Sequence, residues 1–400
     1  MLFTLALLWL ALPLKILGEI TGNITDIDLI DNNIQRRWEA VKGDDFAPWN
    51  LRMITASGKL PIPVANGANT RISSAGAGVR IYIVDTGVRL SHVAFRERAV
   101  NFLGMRTSSY ADDETADDVD GHGTLVAGIA GGLFSGVAQS ATLVNVKVDG
   151  ERGSSMEEIA RAFSDIIDEH VAYRNNPSAT TNGYVWRGSV INLSMGFSKH
   201  NAELQEQLER AANEGVPVVV AAGNSNRNAG NALDDSDDSD SDEEDDSKSD
   251  EDAGGTFPCS ISQSSKNSVV CVGAVDRNYH KWYRSNYGSV VDVAAPGVDV
   301  SGPSWKGDGK MRVDSGTSFA APHVAGIMAI FVGHEALNRN KDSFSRAVRR
   351  LSANAYQNIM TGWDEDGPHY FASTGINHPN KHSASPVSKF YITFRGTTTH

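Results

Sequence analysis

Ser318 stands in DSGTSFAAPHVAG, residues 314–326, where a small hydroxyl comes just before an apolar helical run. A serine there is either an N-cap, favoured on hydrogen-bonding grounds alone, or a nucleophile set against free backbone N–H groups. Three other residues bear on that choice. Asp85 ends the run VRIYIVD and is followed by TGV, where an Asp could simply cap a turn. His122 lies in DGHGTLVAGIAGG, where capping or packing is the plain reading, and Asn224 follows VVVAAG, where a turn-forming Asn is. Taken together they fill the roles of one reaction. A nucleophilic serine needs a base to take its proton, and histidine serves near neutral pH. The histidine needs a carboxylate to fix its tautomer, and the tetrahedral intermediate needs donors such as an Asn side chain and a helix N-terminal N–H.

The elements that must position these residues alternate along the chain. VRIYIVD (79–85), ATLVNVKV (141–148), SVINLSMG (189–196) and VPVVVAAGN (216–224) read as buried strands. Between them, SMEEIARAFSDIIDEHVAYR and NAELQEQLERAANEG carry apolar residues at helical spacing, the second closed by Gly215. Near-continuous Val/Ile/Ala strands separated by helices predict an α/β fold of three layers, a mostly parallel central sheet with helices on both faces. In such sheets functional residues gather at the carboxyl ends of strands, which selects Asp85, Ser194 and Asn224.

IVDTG, GHGTLVAG, NLSMG, AAGN and SGTSFAAPHVAG, in that order, resemble the five signature blocks of the subtilisin-like serine proteases. The chain order Asp, His, Ser is that of subtilisin. APWNLRMI near Ala47 and SNYGSVVDVAAPG at 285–297 resemble the secreted fungal, proteinase K-like branch, and the resemblance runs from about residue 47 to about 355. It implies that Ser318 is the nucleophile, His122 the general base and acid, Asp85 the orienting carboxylate and Asn224 the oxyanion donor. It implies that Ser194, Met195 and Gly196, with Ala221, Ala222 and Gly223, form edges that pair with substrate backbone and line the primary specificity pocket. Glycines at such edges let a substrate strand approach.

The same resemblance implies a calcium ion on Asp292 and the backbone carbonyls of Ser268 and Val270. A lone carboxylate with carbonyls suits a hard cation, and a structural Asp near a turn is the alternative. The chemistry itself requires no cofactor. Pro322 is expected in the first helical turn, where its missing N–H costs little. His323 is read as a packing or locally hydrogen-bonded residue and not as the base. Cys259 and Cys271, twelve positions apart, could bridge in an oxidising compartment; Cys271 matches a cysteine of the proteinase K-like branch whose usual distant partner is absent.

Composition narrows the partners. Residues 234–252 hold thirteen acids and one lysine, so this tract carries −12 of the net charge of −13 and leaves a nearly neutral body. There is therefore no electrostatic case for nucleic acid as a partner, and the tract reads as a solvated, disordered surface insertion, with an ion-binding or regulatory role as the alternative. The apolar run in MLFTLALLWLALPLKILG is too short to span a membrane and fits a secretory signal over 1–18. A short polar pro-segment or extension follows over 19–45, then the catalytic domain over 46–355 and a poorly matched tail over 356–400. The family's long inhibitory pro-domain has no counterpart before Ala47, and Leu125 stands where the family commonly has a second histidine.

The expected function is that of a secreted, monomeric serine endopeptidase acting on protein or peptide chains, without stable membrane insertion. The rival is a catalytically silent relative that binds or acts as a decoy, which the intact quartet argues against. A nucleotide-binding α/β protein is set aside, because no G-x-x-x-x-G-K-[ST] loop occurs.

Overall fold

The computed structural model describes residues 40–42, 46–72, 75–103, 117–148, 155–230, 257–262, 268–335 and 341–376. The expected signal segment, most of 19–45, the acidic insertion and the chain beyond 376 lie outside the described residues.

The strand β1 (Val79–Asp85) is buried along its whole length, as a strand with two covered faces must be. Eight more join it: β2 (Ala99–Asn101), β3 (Thr142–Lys147), β4 (Gly188–Leu193), β5 (Val218–Ala221), β6 (Val270–Val275), β7 (Val293–Pro296), β8 (Tyr356–Gln357) and β9 (Tyr370–Phe371). They form one nine-stranded sheet in the order β8-β9-β7-β6-β5-β4-β1-β3-β2. Every neighbouring pair is parallel except β8 with β9. From β1 the chain builds one wing through β3 and β2, and from β4 it builds the other. The crevice of a doubly wound sheet therefore falls at the carboxyl ends of β1 and β4.

Alternation along β1 splits the core. Ile81 and Ile83 face the layer that holds α1 (Trp49–Thr55), α2 (His122–Gly131), α5 (Thr317–Glu335) and α6 (Ser343–Asn354). Tyr82 and Val84 face α3 (Met156–Asn175) and α4 (Ala202–Glu214). Both amphipathic runs thus became helices. Ser155 and Glu158 close a capping box on α3, Asn201 caps α4, and Gly215 ends it at φ 84°. One described helix, α5, is long and apolar enough to cross a membrane over Thr317–His334, but it is 89% buried inside the protein and is its core helix.

Two expected boundaries move. Residues 40–42 form a strand paired with Thr70–Ile72, so the pairing begins before residue 46. At the other end β8 and β9 extend the main sheet, with Phe371 buried against it, so residues 356–376 are part of the fold and not a tail. Both strands have two residues, too short for a periodic signal in sequence.

Candidate active site

Asp85 is the last residue of β1 and is fully buried. Its Oδ1 accepts from its neighbour's N–H, Thr86 N, at 2.8 Å and pairs with His122 Nδ1 at 2.7 Å. A carboxylate oxygen accepts, so Nδ1 carries a proton toward Asp85. In the neutral ring that is the tautomer a general base needs, with Nε2 as the acceptor.

His122 begins α2, and the turn before it is built around a residue the sequence reading missed. Buried Asp118 accepts from Gly121 N (2.7 Å), Asp120 N (3.2 Å) and Thr86 Oγ1 (2.9 Å) through Oδ1, and from Thr124 N (2.9 Å) through Oδ2. Thr86 Oγ1 in turn accepts from Gly123 N at 2.9 Å. These bonds serve the orphan N–H groups of the helix start and lock it to the end of β1. Gly121 sits at φ 102°, and a Cβ there would lie 1.8 Å from Trp305 Cδ1, so only glycine fits.

Ser318 is the second residue of α5, and the next residue, Phe319, lies with its ring centroid 5.2 Å from that of His122. The helix start is thus packed against the imidazole. Thr317 N goes to Asn224 Oδ1 and Phe319 N to Gly316 O, while Ser318 N–H has no partner among the described residues. It remains as a donor at a helix N-terminus, where developing negative charge is favoured.

Pro322 lies in the second turn of α5, not the first, because the helix begins at Thr317. Its missing N–H should orphan the carbonyl of Ser318. Ser194 supplies the replacement: its Oγ donates to Ser318 O at 2.8 Å and accepts from Asn192 Nδ2 at 2.9 Å. The hydroxyl of Ser194 is thereby committed to the helix and is buried, so any substrate contact at this residue falls to its backbone.

Asn224 follows β5 on a loop whose backbone is already engaged. Ala222 N donates to Val272 O and Ala222 O accepts from Asn286 Nδ2; Gly223 N donates to Thr317 Oγ1 and Gly223 O accepts from Asn286 N. Ala222 and Gly223 therefore cannot add a substrate strand, and with Ala221 they can form only pocket wall. This corrects the expectation of strand pairing there. Met195 and Gly196 differ: both are partly exposed, and no hydrogen bond to a described residue engages their backbone. His323 is fully buried, with Nδ1 donating to Phe319 O at 2.8 Å and Nε2 accepting from Asn50 Nδ2 at 2.7 Å, so it is a packing residue as read.

The cation set does not assemble as expected. Asp292 N donates to Cys271 O (3.0 Å), and Asp292 Oδ2 accepts from Cys271 N (2.8 Å). Within a strand the N–H and C=O of one residue point the same way and those of its neighbours the opposite way. Cys271 faces Asp292, so Val270 faces β5, in line with Val272, whose carbonyl accepts from Ala222 N at 3.0 Å. Val270 O cannot share a cation with Asp292, and the set of Asp292, Ser268 and Val270 does not fit calcium. Burial pushes the Asp292 carboxyl up to about 7. Cys259 and Cys271 are joined as a disulfide, with Cα atoms 5.2 Å apart.

A parallel α/β sheet with an Asp–His pair and a helix-borne serine at its switch point defines the class of subtilisin-like serine endopeptidases. The chain belongs to the subtilase family, whose family model matches residues 76–379. Among curated proteins it is 31% identical over 350 residues to alkaline serine protease ver112 of Corniculantispora psalliotae, covering 88% of this chain and 76% of that one. It is 34% identical over 291 residues to proteinase T of Parengyodontium album (72% and 80%) and 31% identical over 366 residues to the cuticle-degrading protease of Metarhizium anisopliae (90% and 78%). Among solved structures it resembles a cold adapted subtilisin-like serine proteinase, with TM-score 0.61 and 26% identity, covering 82% of this chain and 98% of that one.

Proposed function

We propose that this chain is a secreted endopeptidase that hydrolyses peptide bonds through a covalent intermediate on Ser318. Ser318 Oγ attacks the substrate carbonyl carbon while His122 Nε2 takes its proton. Asp85 holds the Nδ1–H tautomer and stabilises the imidazolium. The oxyanion that forms accepts from Asn224 Nδ2 and Ser318 N–H. His122 then gives its proton to the leaving amine, leaving an acyl ester on Ser318, and water activated by the same imidazole releases the acid. An extended substrate pairs along Met195–Gly196, whose backbone has no hydrogen-bond partner among the described residues.

The observation that carries this reading is the 2.7 Å contact between His122 Nδ1 and Asp85 Oδ1. It fixes the Nδ1–H tautomer of a histidine beside the helix that bears Ser318. Secretion is supported by the apolar run at 2–12 and by the disulfide, which persists in oxidising compartments. The test is steady-state hydrolysis of a peptide substrate. Ser318→Ala, His122→Ala and Asp85→Asn should each lower kcat by about 10⁴-fold, and pairs of them should cost little more than one alone. Additive losses, or near-native turnover by any of the three, would contradict the mechanism.

A further inference from the structure

No hydrogen bond among the described residues joins Asn286 to the Asp–His pair, yet its side chain is wholly buried beneath the loop that carries Asn224. Among the described residues, the amide's bonds all go to that loop's backbone. Oδ1 accepts from Ser225 N (3.1 Å) and Arg227 N (3.0 Å), and Nδ2 donates to Ala222 O (2.9 Å). Its own backbone N–H donates to Gly223 O at 2.9 Å. The residues on both sides of Asn224 are therefore tied to one side chain 62 positions further along the chain, as Asn286 is counted from Asn224.

This donor and acceptor set is specific. Asp lacks the donor for Ala222 O, Gln carries its amide one methylene further out, and Ser cannot reach three backbone groups with one oxygen. The same loop turns through Asn226 at φ 52°, a left-handed conformation that Asn tolerates better than other non-glycine residues. Lys281 Nζ donates to Asn226 Oδ1 at 2.7 Å, and Asn226 N donates to Arg284 O at 2.9 Å, which brace the outer side of the same loop. An oxyanion donor works without reorganisation only if its position is fixed before the charge develops.

We infer that Asn286 is the positioning residue of Asn224, and that through it Asn286 sets the rate of acyl transfer without binding substrate. The inference rests on the reading of Asn224 as oxyanion donor. A displacement of about 1 Å at a reacting centre costs about 10²-fold, which bounds what loosening the loop should do.

The test is a double-mutant cycle in kcat and KM on the full chain, with Asn286→Ala, Asn224→Ala and the pair. Rates are referred to sites that a fluorophosphonate labels to completion, so unfolded chain does not enter. Asn286→Ala should lower kcat by about 10²-fold with KM little changed, and the same change should cost little in the Asn224→Ala background. Amide exchange at Ser225 and Arg227 should quicken. Asn286→Asp, which keeps the Oδ1 acceptor, should lose less and carries the cycle if the alanine variant does not fold. An equal loss in both backgrounds, or an unchanged kcat, overturns the inference while leaving Asn224's role intact. An Asn224→Ala enzyme with full kcat overturns the reading of Asn224, and the inference with it.

Discussion

Thr317 donates twice to one atom of Asn224: its backbone N–H and its hydroxyl reach Oδ1 at 3.0 and 2.8 Å. Because a backbone N–H can only donate, the oxygen end of the Asn224 amide must face Thr317, and the NH₂ end is turned away from it. In the proposed mechanism the residue before the nucleophile thus orients the oxyanion donor. Thr317→Ser should keep both bonds and near-native kcat. Thr317→Val loses the hydroxyl from Asn224 and from Gly223 N, and kcat should fall by roughly tenfold, the equivalent of about 1.4 kcal/mol. Equal activity of the two variants would show that the hydroxyl does not orient Asn224.

Loss of Asn224 itself should cost more. Asn224→Ala should lower kcat by roughly 10²–10³-fold with KM little changed. A rise in KM at constant kcat would make Asn224 a ground-state binding residue instead.

Ser194 and Pro322 form a compensating pair. Ser194→Ala leaves the Ser318 carbonyl without a donor in a buried setting, which should lower stability by about 1–3 kcal/mol. Pro322→Ala restores a backbone N–H able to serve that carbonyl. The double variant should then be less destabilised than Ser194→Ala alone, as read from denaturant midpoints. A double variant whose loss equals or exceeds the sum would break the pairing.

Acid should destabilise the fold through two buried histidines. Burial holds both His170 and His323 at about 4, below the ordinary 6.5. Above 6.5 both are neutral folded and unfolded, and they contribute no pH dependence. As pH falls from 6.5 toward 4 the unfolded chain takes protons that the folded chain refuses, so stability declines, at most by about 1.4 kcal/mol per pH unit for each histidine. His323→Gln should flatten that decline relative to the parent. An unchanged slope between pH 6.5 and 4 would contradict the assignment.

Much of this was legible in the chain because it is local. Val79–Asp85 reads as a strand because both faces are buried, and Gly215 marks the end of α4 because only a residue tolerant of positive φ closes it. What escaped notice is held by distant partners. Asp118, Thr317 and Asn286 are ordinary polar residues until folding sets them beside Thr86, Asn224 and Ala222; Thr317 and Asn286 even lie in blocks that carry the resemblance, but their local sequence assigns them no partner. Val270 shows the cost of a one-residue phase error: its neighbour Cys271 faces Asp292, while it faces the opposite strand. Pro322 shows the cost of a boundary error of the same size, since moving the helix start changes whether its lost N–H matters.

The central claim is that Ser318 is the nucleophile, activated by His122. The most direct measurement is intact-mass analysis after treatment with a fluorophosphonate, comparing the parent chain, Ser318→Ala and His122→Ala. The parent should gain one adduct, located on the peptide containing Ser318; Ser318→Ala should gain none, and His122→Ala should label far more slowly. A single adduct on the Ser318→Ala chain, or labelling of His122→Ala at the parent rate, would contradict the account.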